Sequence, residues 1–555
     1  MMYWRRTARF PFLGVLAVTA LAFSMACGPS TAPPASSSSP SPEAKAATPK
    51  RGGTLVQLQS TNIQLDATRN ASYNALHAYG QIHPTLLQYS PQERDRIEGG
   101  VAASWEVSPD SLTYTFKIRE GLKTYKGKPF GTEDVVYSIQ RALQPPNKIP
   151  MPRTGCLRAV VKDVQAPNAT TVVITLKDRS ASFLSCIASP YGFIQPKYVL
   201  EEIDGPGKGR ALKLEEVDGV GPFKLVKHTP GSLFEFERNE SYFKPELPYL
   251  DKVQIVDIPD LSSQIAAFRT GTAHITATFS TPSHSEMESL KAELGDKVQF
   301  IEAVPPGWRG FQANYRRAPL NDKRLREAIH LALNRQDINA LLMENEGKIS
   351  APYQGSWAWI YSYDEMAQWP GYRKDKTQDL ARAKQLVQEA GFGPNNPVTV
   401  EVSCGTETPD ECEILTENLK PIGITTRLIR EDTNTRLARA QKGDFDLYPD
   451  SKGIAFDDPE AYNGDYYLPS AGLNFVKWEN AEWLRLYEQQ RRELDQAKRG
   501  PILRQMGKLW FEDYVFLATL RISTHPGHWS FVKGYVPPPT LVHVNYSFEN
   551  VWLDK

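Results

Sequence analysis

Apolar and polar positions first fall into register after the turn-forming Arg51-Gly52-Gly53-Thr54, where the alternation through Leu55 and Leu58 reads as an opening strand. Trp105 to Val107 and Tyr114 to Ile118 alternate on either side of Ser108-Pro109-Asp110-Ser111, and Val135, Val136, Ile139 and Leu143 then recur at helical spacing. These predict a hairpin packed beside a helix. Val172 to Leu176 reads as another strand, and Phe223 to Val226 with Leu233 to Arg238 flank Thr229-Pro230-Gly231-Ser232 as a second hairpin. Further along, Leu325, Ala328, Ile329 and Ala332 form one helical face behind the capping candidates Asn321 and Asp322. The pattern repeats over Asp379 to Ala390 with Leu380, Ala383, Leu386 and Val387, and Gly391 stands where a helix end favours glycine. Strands and helices mix throughout, so the class is α/β in the mixed α+β sense, and no repeat of fixed period runs along the chain.

Between Gly28 and Lys50 this patterning stops. Pro, Ser, Ala, Thr and Gly dominate, with no aromatic residue and no Leu, Ile or Val, so the stretch can only be a tether. Before it, Arg5, Arg6 and Arg9 precede an apolar run from Phe10 to Ala26, the layout of a secretory signal. Pro11, Gly14 and the absence of a following charge cluster argue against a permanent membrane span. Ser24-Met25-Ala26-Cys27 resembles a bacterial lipobox, in which the cysteine is lipidated and becomes the first mature residue; Ala26 fits that pattern and Ser24 departs from it. The expected layout is therefore a signal peptide at 1–26, a lipid anchor at Cys27 with a tether over 27–50, and a globular part from 51 onward.

Its 555 residues allow two or three domains with a sizeable core. The chain has 64 basic and 64 acidic residues, and its basic pairs, such as Arg316-Arg317 and Arg491-Arg492, are scattered; a nucleic-acid partner is not expected. Apart from Cys27, the cysteines are Cys156, Cys186, Cys404 and Cys412, which allow three pairings. The local pairs 156 to 186 and 404 to 412 are the simplest, buried thiols are the alternative, and neither spacing is that of a zinc ribbon or a redox pair.

Common catalytic signatures are missing. There is no Gly-x-Ser-x-Gly elbow, His-Glu-x-x-His helix or Gly-x-Gly-x-x-Gly turn, and Gly121 to Lys128 has the wrong length and a proline where a phosphate loop needs Ser or Thr. His525 and His528 bracket Pro526-Gly527, a turn with no acidic or cysteine partner nearby in sequence, so no metal site is expected there. Trp357, Trp359, Tyr361 and Tyr363 recur at every second position, which on an extended backbone gives one aromatic face, either a ligand platform or core. In Asp457-Asp458-Pro459-Glu460, Asp458 reads better as a helix cap than as half of a catalytic carboxylate pair.

From residue 52 onward the chain resembles the large extracytoplasmic solute-binding proteins of dipeptide and oligopeptide ABC importers, solute-binding family 5. The resemblance is carried by GGTLV from Gly52, GVAASWEVSPDSLTYTFKIREGLKTYKGKPFGTEDVVYSIQRAL from Gly100, GVGPFKLVKHTPGS from Gly219, ERNESYF from Glu237, YLDKVQIVDIPD from Tyr249, NYRRAPLNDKRLREAIHLALNR from Asn314 and DLARAKQLVQEAGF from Asp379. It implies two lobes closing on a ligand: lobe one over 51–308 plus 522–555, with an extra subdomain at about 75–210, and lobe two over 309–521. It also implies crossovers near Phe311 to Asn314 and Leu520 to Ile522, which put Gln312 and Asn314 beside the cleft, with Trp357, Trp359 and Tyr361 bordering it.

In peptide-binding relatives a Gly-Trp-x-x-Asp segment before an Asp-Pro supplies a carboxylate for the peptide ammonium. Counting forward from Gly453 puts Asp457 in that place, with Ile454 replacing the tryptophan; counting back from Asp458-Pro459 puts Ala455 there. The resemblance further implies a Cys404 to Cys412 bridge, a monomer, an ABC permease and ATPase as partners, no cofactor, and a site on the outer face of the cytoplasmic membrane or in the periplasm. The alternatives are an oligosaccharide or other uncharged solute as ligand, a sensor or adhesion lipoprotein, and an exported hydrolase.

Overall fold

Local preferences set most of the elements. Leu233–Arg238 and Phe223–Thr229 form the expected hairpin, and Phe223, Leu225, Phe234 and Phe236 point from it into one core. Asp322 caps the helix Lys323–Ala332 by accepting from the Arg324 amide. The helix Thr377–Glu389 ends before Gly391, whose φ of 87° lies in the left-handed region that glycine tolerates. The structure is a computed structural model that describes residues 48–555 apart from 60, 62, 71, 91–95, 150, 152, 206–208, 279, 305–306, 352–359, 406–408, 457 and 538–545. Of the residues expected to carry function, Cys27, Trp357, Trp359 and Asp457 lie outside the described residues, as do the signal peptide and most of the tether.

Two groups of sheets make up the chain from Pro49 onward. In the first, Thr54–Leu58, Lys252–Val256, Leu233–Arg238 and Phe223–Thr229 form a four-stranded sheet in the order in which they are named here. An antiparallel sheet of Ala102–Val107, Thr113–Ile118, Thr171–Leu176 and Val161–Asn168 stands beside it with its own core. The helix Thr132–Leu143 covers that sheet and points Arg141 inward, where its guanidinium forks between Asp66 and Asp204 at 2.6 Å from each. The second group is a six-stranded sheet ordered Lys348–Ile349, Phe516–Arg521, Gly307–Ala313, Leu447–Gly453, Val398–Gly405 and Ile424–Glu431.

The chain passes between the groups twice, and the two passages run side by side, with Ala303 and Thr524 exchanging both backbone hydrogen bonds at 2.8 Å. Phe311, Gln312 and Ala313 are already inside the large sheet, as are Leu520 and Arg521. The passages therefore sit nearer Ala303 and Thr524 than the family resemblance implied.

Candidate functional site

One seam joins the two groups of sheets, and its floor is the end of the strand Leu447–Gly453 with the residues that follow. Tyr73, in the turn Tyr73–Ala75, donates from its hydroxyl to the Ile454 carbonyl. Ser189 donates to the Ala455 carbonyl at 2.7 Å. Arg153 reaches Asp465 at 3.1 Å while its guanidinium lies over the rings of Tyr73 and Tyr191, 5.5 and 5.4 Å from their centroids. The two rings themselves meet edge to face at 5.8 Å. The contacts to Ile454, Ala455 and Asp465 each have one partner before residue 200 and the other after residue 450, so these three close the seam, while the ring contacts brace Tyr73 and Arg153 on their own side.

The far wall is equally polar. Tyr466 accepts from the Gly453 amide at 3.1 Å and donates to the Gly453 carbonyl at 2.7 Å, which fixes its ring over the strand end. Beneath it Lys452 is fully buried, with Nζ paired to Asp450 and 4.3 Å from the Tyr466 ring centroid. Burial pushes the Lys452 ammonium down against the pull of Asp450, pushes the Asp465 carboxyl up against the pull of Arg153, and pushes the Tyr466 hydroxyl up to about 12. Gly453 leaves no room for a side chain: a Cβ there would come within 2.8 Å of the Tyr73 oxygen and 2.9 Å of its ring. Glycine is what lets the tyrosine lie on the strand.

Gln312 and Asn314 are buried, and their amides serve the protein itself. Gln312 Nε2 donates to Asp450 at 2.6 Å and to the Leu473 carbonyl at 3.3 Å. Asn314 Nδ2 donates to the carbonyls of Gly443 and Phe445 at 2.9 and 3.0 Å. Gln312 thus acts behind the seam, by holding Asp450 against Lys452. Tyr361 is buried, donates to the Arg504 carbonyl at 2.6 Å and meets Trp369 edge to face at 5.0 Å. Tyr363 opens the helix Tyr363–Met366 behind the cap Ser362 and is exposed, so the aromatic alternation ends where that helix turns the backbone.

Asp458 accepts from the Glu460 amide at 2.8 Å and pairs with Arg499 through both oxygens at 2.6 Å. That is the work of a cap and an ion-pair anchor. Glu460 in turn accepts from Tyr487 at 2.6 Å and Gln490 at 2.7 Å. The sulfurs of Cys156 and Cys186 are joined, linking the helices Gly155–Val160 and Phe183–Ile187; Arg153 and Ser189 therefore leave one cross-linked unit to cross the seam. Those of Cys404 and Cys412 are also joined, tying the end of Val398–Gly405 to the helix Pro409–Leu419. The sequence does not single out Tyr73, Arg153, Ser189, Tyr191, Lys452, Asp465 or Tyr466; the partners that Tyr73, Ser189 and Arg153 meet across the seam lie hundreds of positions away.

A mixed α/β chain folded into two lobes that meet across such a seam has the architecture of an extracytoplasmic binding protein. Residues 96–474 match the family of bacterial extracellular solute-binding proteins, family 5 (middle), and the chain belongs to that family. Di/tripeptide-binding protein 1 of Pseudomonas aeruginosa is 25% identical over 467 residues, covering 80% of this chain and 82% of that protein. Heme-binding protein A of Haemophilus influenzae is 26% identical over 394 residues, covering 67% and 69%. Among solved structures, the periplasmic binding protein DppA of Helicobacter pylori in complex with the peptide STSA superposes with a TM-score of 0.77 at 23% identity, over 91% of this chain and 99% of that one. The family consists of solute-binding proteins, and no described helix is long and apolar enough to cross a membrane.

Proposed function

We propose that this protein captures a short peptide between its lobes outside the cytoplasm and delivers it to an ABC permease and ATPase. The observation that carries the reading is the seam: hydroxyls and a guanidinium from one lobe close on the backbone and a carboxylate of the other, at Ile454, Ala455 and Asp465. A joint of this kind can open and re-form around a solute. The peptide assignment is supported by relatives named for di- and tripeptides that align over most of their length. In this reading lobe one is 51–308 plus 522–555, lobe two is 309–521, Asp457 balances the peptide ammonium, and Cys27 anchors the chain by lipid. No turnover is expected, since Asp458 is engaged by Arg499 and the Glu460 amide.

Native mass spectrometry of the purified protein, followed by calorimetry with the recovered ligand and with di- and tripeptides, tests this. Retention of a peptide that rebinds after denaturation and refolding is the expected result. Retention of a sugar or a haem, with no heat from any peptide, would overturn it.

A further inference from the structure

The connection between the lobes carries a second cluster of side chains, which the seam does not use. His525 follows Thr524 on the returning passage and is buried. His284 opens the helix His284–Leu294, which Ser283 caps through the Glu286 amide. Glu346 comes from the other side, between the helix Arg335–Met343 and the strand Lys348–Ile349 of the large sheet. One donor atom from each of the three lies within 4.8 Å of the others. His284 Nδ1 is 3.9 Å from Glu346 Oε1, and the two imidazoles meet edge to face at 5.7 Å.

Details of the surroundings suit metal ligation. His284 Nδ1 is shielded from solvent and has no hydrogen-bond partner among the described residues, so a lone pair or a proton there is unanswered. His525 Nδ1 lies 3.3 Å from the Pro282 carbonyl. A carbonyl only accepts, so Nδ1 carries the proton and Nε2 keeps its lone pair, the usual outer support of a metal-binding histidine. The Glu346 turn is also held in place, because Glu344 accepts from the Ser285 amide at 2.9 Å and from its hydroxyl at 3.1 Å.

We propose that His284, Glu346 and His525 bind a divalent first-row transition ion of the zinc type, and that the ion bridges the lobes beside their connections. Two imidazoles and a carboxylate suit zinc, nickel or copper and are a poor set for magnesium or calcium. Tetrahedral donors about 2.05 Å from one ion stand about 3.3 Å apart, so the donors draw in from their present spacing. Partly exposed His284 and Glu346 have the freedom to do so. Water completes the coordination, and no protein group needs to change its covalent state. The site belongs to the frame and is independent of which solute the seam encloses.

The test uses the full chain stripped with a chelator, desalted and titrated with zinc against a fluorescent competitor, and with cobalt followed in the visible. Wild type is expected to take up about one ion per chain with tetrahedral cobalt bands. Glu346→Gln and His284→Ala are expected to lose tenfold or more in affinity while unfolding at the wild-type midpoint without metal. His228→Ala, on a strand far along the chain, is the control and keeps wild-type binding. Zinc should raise the thermal midpoint of wild type and leave that of Glu346→Gln where it was. Absence of saturable uptake overturns the site; uptake that survives Glu346→Gln unchanged overturns the bridge.

Discussion

Gly453→Ala puts one methyl group where the two lobes meet. The new Cβ would stand 2.8 Å from the Tyr73 oxygen and 2.9 Å from its ring, closer than van der Waals contact permits. The ring must therefore leave the strand. With it go the hydrogen bond to the Ile454 carbonyl and the edge-to-face contact with Tyr191, while the ring under Arg153 shifts. A hydrogen bond is worth about 0.5–1.5 kcal/mol and an aromatic pair about as much again, so closure loses about 1–3 kcal/mol. If ligand binds tightly only to the closed form, that is a weakening of about 5- to 150-fold in affinity. Calorimetry with the recovered ligand measures the affinity, and small-angle scattering measures the compaction that accompanies binding. The decisive control is Tyr73→Ala, which costs its own contacts but removes the clash. Adding Gly453→Ala to it should cost almost nothing more, giving a strongly non-additive cycle. Wild-type affinity in Gly453→Ala, or strict additivity in the double variant, would refute the reasoning, because either result means that Tyr73 and Gly453 do not press on each other when ligand is bound.

Asp457→Asn should weaken binding of a free-amine peptide by more than about tenfold, in line with about 2–5 kcal/mol for an ammonium left without its counter-charge, and leave an N-acetylated peptide unaffected. Equal calorimetric affinities across the substitution would remove Asp457 from the site and favour uncharged solutes. Asp458→Asn leaves the buried Arg499 guanidinium short of its partner and should cost about 3–5 kcal/mol of stability in urea titrations, without creating or removing any hydrolytic activity. An unchanged urea midpoint would mean the ion pair is not an anchor. Cys27→Ala should move the protein from the membrane to the soluble fraction; undiminished membrane association after cell fractionation counts against the lipid anchor.

Where the sequence spoke clearly, it spoke through local physics. Leu233–Arg238 needs only alternation and a Pro-Gly turn, Asp322 only a helix to cap, and Gly391 only a helix to end; all three are present in the structure. The crossovers were implied by the family resemblance and by no local pattern; most of the residues it pointed to lie inside the strands Gly307–Ala313 and Phe516–Arg521, several positions from the backbone exchange between Ala303 and Thr524. Gln312 was singled out because the resemblance placed it at a crossover, and its amide holds Asp450 from behind the seam.

The seam was illegible because its contacts obey no spacing. Tyr73 meets Ile454 across 381 positions and Arg153 meets Asp465 across 312, and nothing in a tyrosine after a serine or an arginine before a threonine announces a partner so far away. What the sequence did carry was the receiving surface. The Gly453 to Asp458 segment stood out for its likeness to a peptide-binding motif, and its backbone is where Tyr73 and Ser189 land, at Ile454 and Ala455. A strand end with a glycine and free carbonyls can accept from any hydroxyl brought to it, so the recognisable element and the unrecognisable ones divide by chemistry: the acceptor is backbone and keeps a pattern, whereas the donors are single side chains delivered by the fold. Closure chemistry in this architecture is therefore better sought by asking what lies over such a strand end than by scanning for a motif on the opposing lobe.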